Sequence, residues 1–222
     1  MNKIGLYISV PIASFRVPRA REYFETFPVP PPATVYGMLL SMCGEMNRRI
    51  YEGAEIAIAL LSKPSYSVVL RTMWRVKKKQ SGLGLGENRR PDFQELLTDL
   101  QLAVWVRTGQ AERSENPLAT RLRAALSRPN QVNRFGGLSL GESTHLVDEV
   151  RPLDNQVVHG RLLIALDEGD LSLPIWPDHV GSRTRWGQYR LSDEADITNE
   201  ALDNESAWTA IRRPSLASAR SN

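Results

Sequence analysis

KIGLYISVPIASFRVPRAREYFETFPVPPPATVYGMLLSMCGEM, residues 3–46, runs from a strand through an arginine-bearing loop into a helix. Ile4, Leu6, Ile8 and Val10 alternate with Gly5, Tyr7 and Ser9, the period of two of a half-buried strand. The polar stretch SFRVPRAREYFETF follows and ends in the proline cluster 28–32. Proline fits the entry and first turn of a helix, where its missing N–H costs nothing. Val35, Met38, Leu39, Met42, Cys43 and Met46 then recur at helical spacing and predict one apolar stripe. Cys43 belongs to that stripe and is read as a buried core thiol.

Working outward, Ile56, Ile58 and Leu60 predict a second strand, and 65–77 a longer one. In the longer strand Tyr66, Val68, Leu70, Thr72, Trp74 and Val76 are expected on a buried face, with Arg71, Arg75 and Lys77 on the other. Residues 77–92, KKKQSGLGLGENRRPD, have no apolar period and read as a flexible hairpin tip. Leu100, Leu102, Val104 and Val106 form the returning strand. Asn116 and Pro117 resemble an N-cap and first helical position before Leu118, Leu122, Ala125 and Leu126. HLVDEVRPL and VVHGRLLIAL are further strands, and beyond about residue 167 the pattern turns irregular.

The order strand, helix, strand, long strand, strand, helix predicts an α+β fold: an RRM-like (ferredoxin-like) sheet with helices on one face. A protruding β-hairpin thumb is expected at about 71–107. The domain is expected to span 1–166, with 167–222 an irregular or β-rich annex ending in a mobile tail at RRPSLASARSN.

Composition narrows the function classes. The 222 residues carry one cysteine and a net charge of +3. A lone cysteine excludes an intrachain disulfide and a cysteine-based zinc site, and fits a reducing, cytoplasmic compartment. No apolar run approaches the ~20 residues of a membrane helix, and the N-terminus reads as a strand rather than a signal peptide. His145, His159 and His179 lack zinc-site spacing, so no metal or cofactor is expected. SGLGLGE is not followed by Lys-Ser or Lys-Thr and is no phosphate-binding P-loop.

The charge is uneven. Residues 1–111 hold 15 Lys and Arg against 9 Asp and Glu, while 112–222 hold 13 against 16. Three arginine–aromatic groups stand out. Arg16, Arg19 and Arg21 lie beside Phe15, Tyr23 and Phe24. Arg71 and Arg75 flank Trp74, close to Lys77, Lys78, Lys79, Arg89 and Arg90. Arg134 and Phe135 precede Gly136 and Gly137 in RFGGLSLGES, with Ser143 and His145 beyond. Guanidinium groups fork onto phosphates, aromatic faces stack on unpaired bases, and bare glycines let a phosphate reach backbone N–H groups. The residues therefore point to RNA binding.

The stretch ISVPIASFRVPRAREYFETFPVPPPATVYGMLLSMCGE, followed by RFGGLSLGESTHLVDEV, resembles the fifth family of CRISPR-associated proteins. This is read as a type I Cascade small subunit of the repeat-associated, RRM-like group, closest to the developmental-S-like branch. The resemblance covers most of residues 1–165. It implies a thumb and a non-catalytic role in binding the 5′ handle of the guide RNA and capping the backbone for DNA targeting. The implied partners are the guide RNA, the large and backbone-forming subunits, and target DNA through the complex. In one branch, of type I-C systems, the protein itself cuts precursor guide RNA with tyrosine, lysine and histidine. A metal-independent endoribonuclease is thus the alternative, although that triad cannot be matched here position by position.

Overall fold

The structure is a computed structural model that describes residues 3–18, 23–154, 156–178 and 183–214. In chain order these form β1 (Lys3–Ala13), β2 (Tyr23–Phe24), α1 (Pro32–Met42), β3 (Glu55–Leu60), β4 (Ser65–Trp74) and β5 (Arg89–Arg107). There follow α2 (Leu118–Ser127), β6 (Glu149–Pro152), β7 (Val158–Leu166), β8 (Leu171–Asp178), β9 (Arg183–Leu191), β10 (Ala195–Ile197) and β11 (Thr209–Ala210).

The heart of the sheet is β6-β1-β5-β3, antiparallel throughout, with α1 linking β1 to β3 and α2 linking β5 to β6. This is the ferredoxin-like order expected from the sequence. The alternation of β1 explains its place. Leu6, Ile8 and Val10 turn to one face, where Leu100, Leu102, Val104 and Val106 of β5 and Ile56 and Ile58 of β3 join them. Both helices cover that face, through Val35, Met38, Leu39 and Met42 of α1 and Leu118 and Leu122 of α2. Each such side chain contributes about 1.5–3 kcal/mol when withdrawn from water.

The opposite face is also covered. Ala57, Ala59, Ala103 and Trp105 pack there against Ile197, Leu202, Ala207 and Trp208 from the C-terminal segment. Arg107, 8% exposed, is ion-paired to Glu55 at 2.6 Å and to Glu205, and its guanidinium lies 4.3 Å from the Trp208 ring centre. The annex takes the β-rich alternative. β8 and β9 extend the sheet beyond β7, β10 pairs β7, and β11 pairs β3. Leu173, Ile175 and Trp176 of β8 join the helix-side core, with Trp176 beside Tyr36. The C-terminal tail expected to be mobile falls mostly outside the described residues; Arg213, which is described, pairs with Glu52 at 2.7 Å.

Three local readings change. The helical stripe stops at Cys43, the cap of α1, and Met46 is 95% exposed. The N-terminus of α2 is capped not by Asn116 but by Glu112, whose carboxylate accepts from the Leu118 N–H at 2.8 Å. The thumb is displaced: the projecting hairpin is β4 with residues 89–98 of β5, while Leu100–Val106 is the middle of the core. Within this arm neither face of β4 is buried, so the apolar face expected to be covered (Tyr66, Val68, Leu70, Trp74) faces outward. Asp99, in the left-handed region at φ 58°, marks the joint between arm and core.

Candidate nucleic-acid interface

The first arginine–aromatic group lies along the arm, the second forms its tip, and the loop that carries the third is tied to the arm through Glu142. The first lies in the loop after β1. Phe15 N–H donates to Thr26 Oγ1 at 2.8 Å, and Thr26 N–H donates to Glu95 Oε2 of β5 at 3.0 Å. These bonds lay the loop along the arm and let β2 pair with β5 at Phe93 and Gln94. Phe15 and Phe24 are buried and serve the core. Arg16 stacks over Phe24 at 3.8 Å and stays exposed. Tyr23 is exposed, 6.5 Å from Phe93, and a hydrogen bond to Glu95 holds its hydroxyl above the ordinary phenol range. Arg19 and Arg21 lie outside the described residues.

The second group is the arm's tip. It is not a featureless loop: it is built around Asn88, 1% exposed. The Asn88 amide oxygen accepts from Lys77 N–H at 2.7 Å and Lys78 N–H at 2.8 Å, and its amide nitrogen donates to Lys78 O at 2.9 Å and Ser81 O at 2.7 Å. A buried amide with its donors and acceptor satisfied fixes the backbone around it. The side chains of Lys77, Lys78 and Lys79 project outside. Glu87 pairs with Lys77 at 2.9 Å and with Lys78, and these two ammonium groups hold its carboxyl below the usual range. Arg75 donates to Glu87 O at 3.1 Å. Trp74 is 68% exposed and lies against Gly84; a Cβ there would sit 2.8 Å from the indole. Arg89 is exposed, whereas Arg90 is paired with the buried Asp92 at 2.7 Å.

The third group is the glycine-rich loop. Arg134, Gly136, Gly137 and Ser143 are exposed, and Phe135 stands fully in solvent. Two residues expected to contact RNA are engaged inside the protein instead. His145 is buried, and its Nδ1 accepts from Ser14 N–H at 3.2 Å and Glu142 N–H at 3.3 Å. Burial lowers its pKa, and the unprotonated Nδ1 works as a clip between loop and β1. Arg71 does not lie on a free polar face: its guanidinium pairs with Glu142 at 3.0 Å and donates to Gln94. Burial pushes the Cys43 thiol up to about 11, as expected of a core cysteine.

No family model matches this chain. It is 42% identical over 193 residues to a protein of Myxococcus xanthus (strain DK1622) described as CRISPR-associated protein Cas5, across 86% of this chain and 90% of that one. The chain belongs to the Cas5 family of CRISPR-associated proteins. Solved structures agree on the fold of this Cas5-family chain. A chain of a CRISPR RNA-guided surveillance complex matches with a TM-score of 0.63 and 14% identity, over 88% of this chain and 90% of that one. A crystal structure of a Cas protein matches with a TM-score of 0.51 and 16% identity, over 89% and 96%.

RRM sheets read RNA on their open face, through stacked aromatic side chains. In this Cas5-family chain Trp105 lies on that face, covered by Trp208 and its neighbours in the C-terminal segment. Among the exposed cations, those of the three arginine–aromatic groups that are described lie at Arg16, at the arm's tip, and at Arg134 beside Phe135. Among the described residues no cluster of three or more His, Cys, Asp or Glu side chains is placed to hold a metal ion, and no helix is long and apolar enough to cross a membrane. Asn88, Gln94, Glu95 and Glu142, which hold the site together, carry no sequence signal of their own. Each is a single polar residue whose partner lies elsewhere in the chain.

Proposed function

We propose that this Cas5-family chain is a non-catalytic subunit of a type I Cascade effector complex, of the developmental-S-like branch. In this reading it binds the 5′ handle of the guide RNA and caps the backbone for DNA targeting. The observation that carries it is the set of exposed cationic and aromatic side chains along one projecting arm and at its tip, with the glycine-rich loop tied to that arm through Glu142, on a sheet whose usual RNA face is closed. Arg16, Arg75, Lys77, Lys78, Lys79, Arg89 and Arg134 supply phosphate contacts; Tyr23, Trp74 and Phe135 supply faces for unstacked bases; Gly136, Gly137 and Ser143 form a loop that a phosphate can approach closely. The outward apolar face of the arm, with Val68, Leu70 and Phe93, suits contact with the neighbouring backbone-forming and large subunits in a prokaryotic cytoplasm. His145 gives the endoribonuclease alternative little support, because it is buried and its Nδ1 accepts from two backbone N–H groups.

Incubating the purified chain with repeat RNA in EDTA tests the reading. Retention without cleavage is the expected result. Specific cleavage would establish the endoribonuclease alternative, and neither retention nor cleavage would overturn both.

A further inference from the structure

The basic residue nearest the root of the arm is the one least able to serve as a phosphate ligand. Arg71 Nη1 reaches Glu142 Oε2 at 3.0 Å and Oε1 at 3.3 Å, and it also donates to Gln94 Oε1. Gln94, 2% exposed, closes the triangle by donating from Nε2 to Glu142 Oε1 at 2.8 Å. One carboxylate on the glycine-rich loop is thereby held by two side chains from the two strands of the arm. A second fastening lies beside it in the same loop. Glu142 N–H bonds to His145 Nδ1, and Gly141, at φ 99°, presses so close to β1 that a Cβ would lie 2.6 Å from Ser14 O. The loop that ends in exposed Arg134 and Phe135 is thus pinned to both the core and the arm.

We infer that Arg71 is a positioning residue. Together with Gln94 and Glu142 it forms a clasp that fixes the glycine-rich loop against the arm, so that Arg134 and Phe135 meet the same RNA as the arm's cations. The inference rests on the RNA-binding reading and alters it in one respect: Arg71 acts through Glu142 and not through a phosphate. A charge already matched by a carboxylate releases few counterions when RNA arrives, whereas a phosphate ligand releases about 0.7 per single-stranded contact.

The two roles give opposite results in a double-mutant cycle on the full chain with a repeat-derived RNA oligonucleotide. The variants are Arg71→Ala, Glu142→Ala and the double; Glu142→Gln is a milder variant for use if Glu142→Ala fails to fold. Affinity is measured across a salt series, together with melting temperature and deuterium uptake at 134–146. A clasp predicts about five- to twentyfold weaker binding in each single variant and no further loss in the double, by the strength of charge-assisted bonds. It also predicts an unchanged salt slope, an unchanged melting temperature and faster exchange in the loop. A purely structural role would lower the melting temperature and leave the folded fraction binding normally, and it would overturn the inference. A phosphate role would flatten the salt slope by about 0.7 in Arg71→Ala, while Glu142→Ala would bind as well as the parent or better. That result would overturn the inference, as would unchanged affinity in both single variants. If the unaltered chain retains no RNA, the functional reading has failed instead. The clasp is then decided by deuterium uptake alone, with faster exchange at 134–146 upholding it and unchanged exchange ending it.

Discussion

β5 is one strand with two environments. From Leu100 to Val106 it lies between β1 and β3, with helices over one face and the C-terminal segment over the other. From Arg89 to Leu96 it forms the arm with β4, where Phe93 is 48% exposed and Leu70, its partner across the ladder, 60%. The apolar residues of β4 in the arm, Tyr66, Val68 and Leu70, alternate as regularly as Leu100, Leu102 and Val104 do in the inner half. What changes is the number of layers packed against them. A period of two reports that a strand has faces; it does not report that anything covers them.

That contrast is easiest to break by truncation. Leu102→Ala, at a fully buried position, should cost about 2–5 kcal/mol in urea unfolding, because it leaves a cavity between helix and sheet. Val68→Ala, on the outward face of the arm, should change stability by no more than about 0.5 kcal/mol. A large loss at Val68 would mean that the arm is packed in the free chain.

The glycine-rich loop offers a finer version. At Gly141 an added Cβ meets the Ser14 carbonyl at 2.6 Å and the backbone is left-handed, so Gly141→Ala should cost about 2 kcal/mol. At Gly137 the added Cβ meets only the end of the exposed Leu146 side chain at 2.9 Å, which can rotate away. Gly137→Ala should therefore melt within about 2 °C of the parent. If it nevertheless lowers affinity for repeat RNA, the loop is a site of close approach; if it melts early, the loop is a fold element.

The smallest effect is the pH dependence at the joint between loop and core. The folded protein depresses the His145 pKa from its ordinary 6.5 chiefly by burial; Glu142 opposes the shift and Arg71 adds to it. Below 6.5 the unfolded chain takes up a proton that the folded chain resists, so stability should fall as pH drops through that value. His145→Asn keeps an oxygen near the Nδ1 position, and it should flatten this part of a plot of stability against pH. An unaltered slope would place the titration elsewhere.

The central sheet was legible because β1, β3 and the inner half of β5 alternate cleanly and α1 and α2 carry apolar stripes. The arm was legible as a hairpin but not as an exposed one, since Tyr66, Val68 and Leu70 look like core residues when only their period is read. The annex was legible only as irregular or β-rich, without its individual strands, because Pro174 and Pro177 interrupt the pattern of β8 and Gly187 that of β9. The site was legible in its cations and aromatics. It was illegible in its constraints: nothing near Arg71 announces a carboxylate 71 residues further along the chain, and nothing in a polar stretch marks Asn88 as its buried centre.

The length of β5 has a mechanical meaning. Its 19 residues run unbroken from the middle of the core to the tip of the arm, a span of about 60 Å at ~3.3 Å per residue. The arm is thus continuous with the core sheet, and Asp99 is the bend between them. Over an arm of about 30 Å, a turn of about 10° at that residue carries the tip through about 5 Å, roughly one nucleotide step. Aim at the tip is therefore set by torsion near that residue, by the rungs to β1 and β2 beyond it, and by the loop braced against the arm.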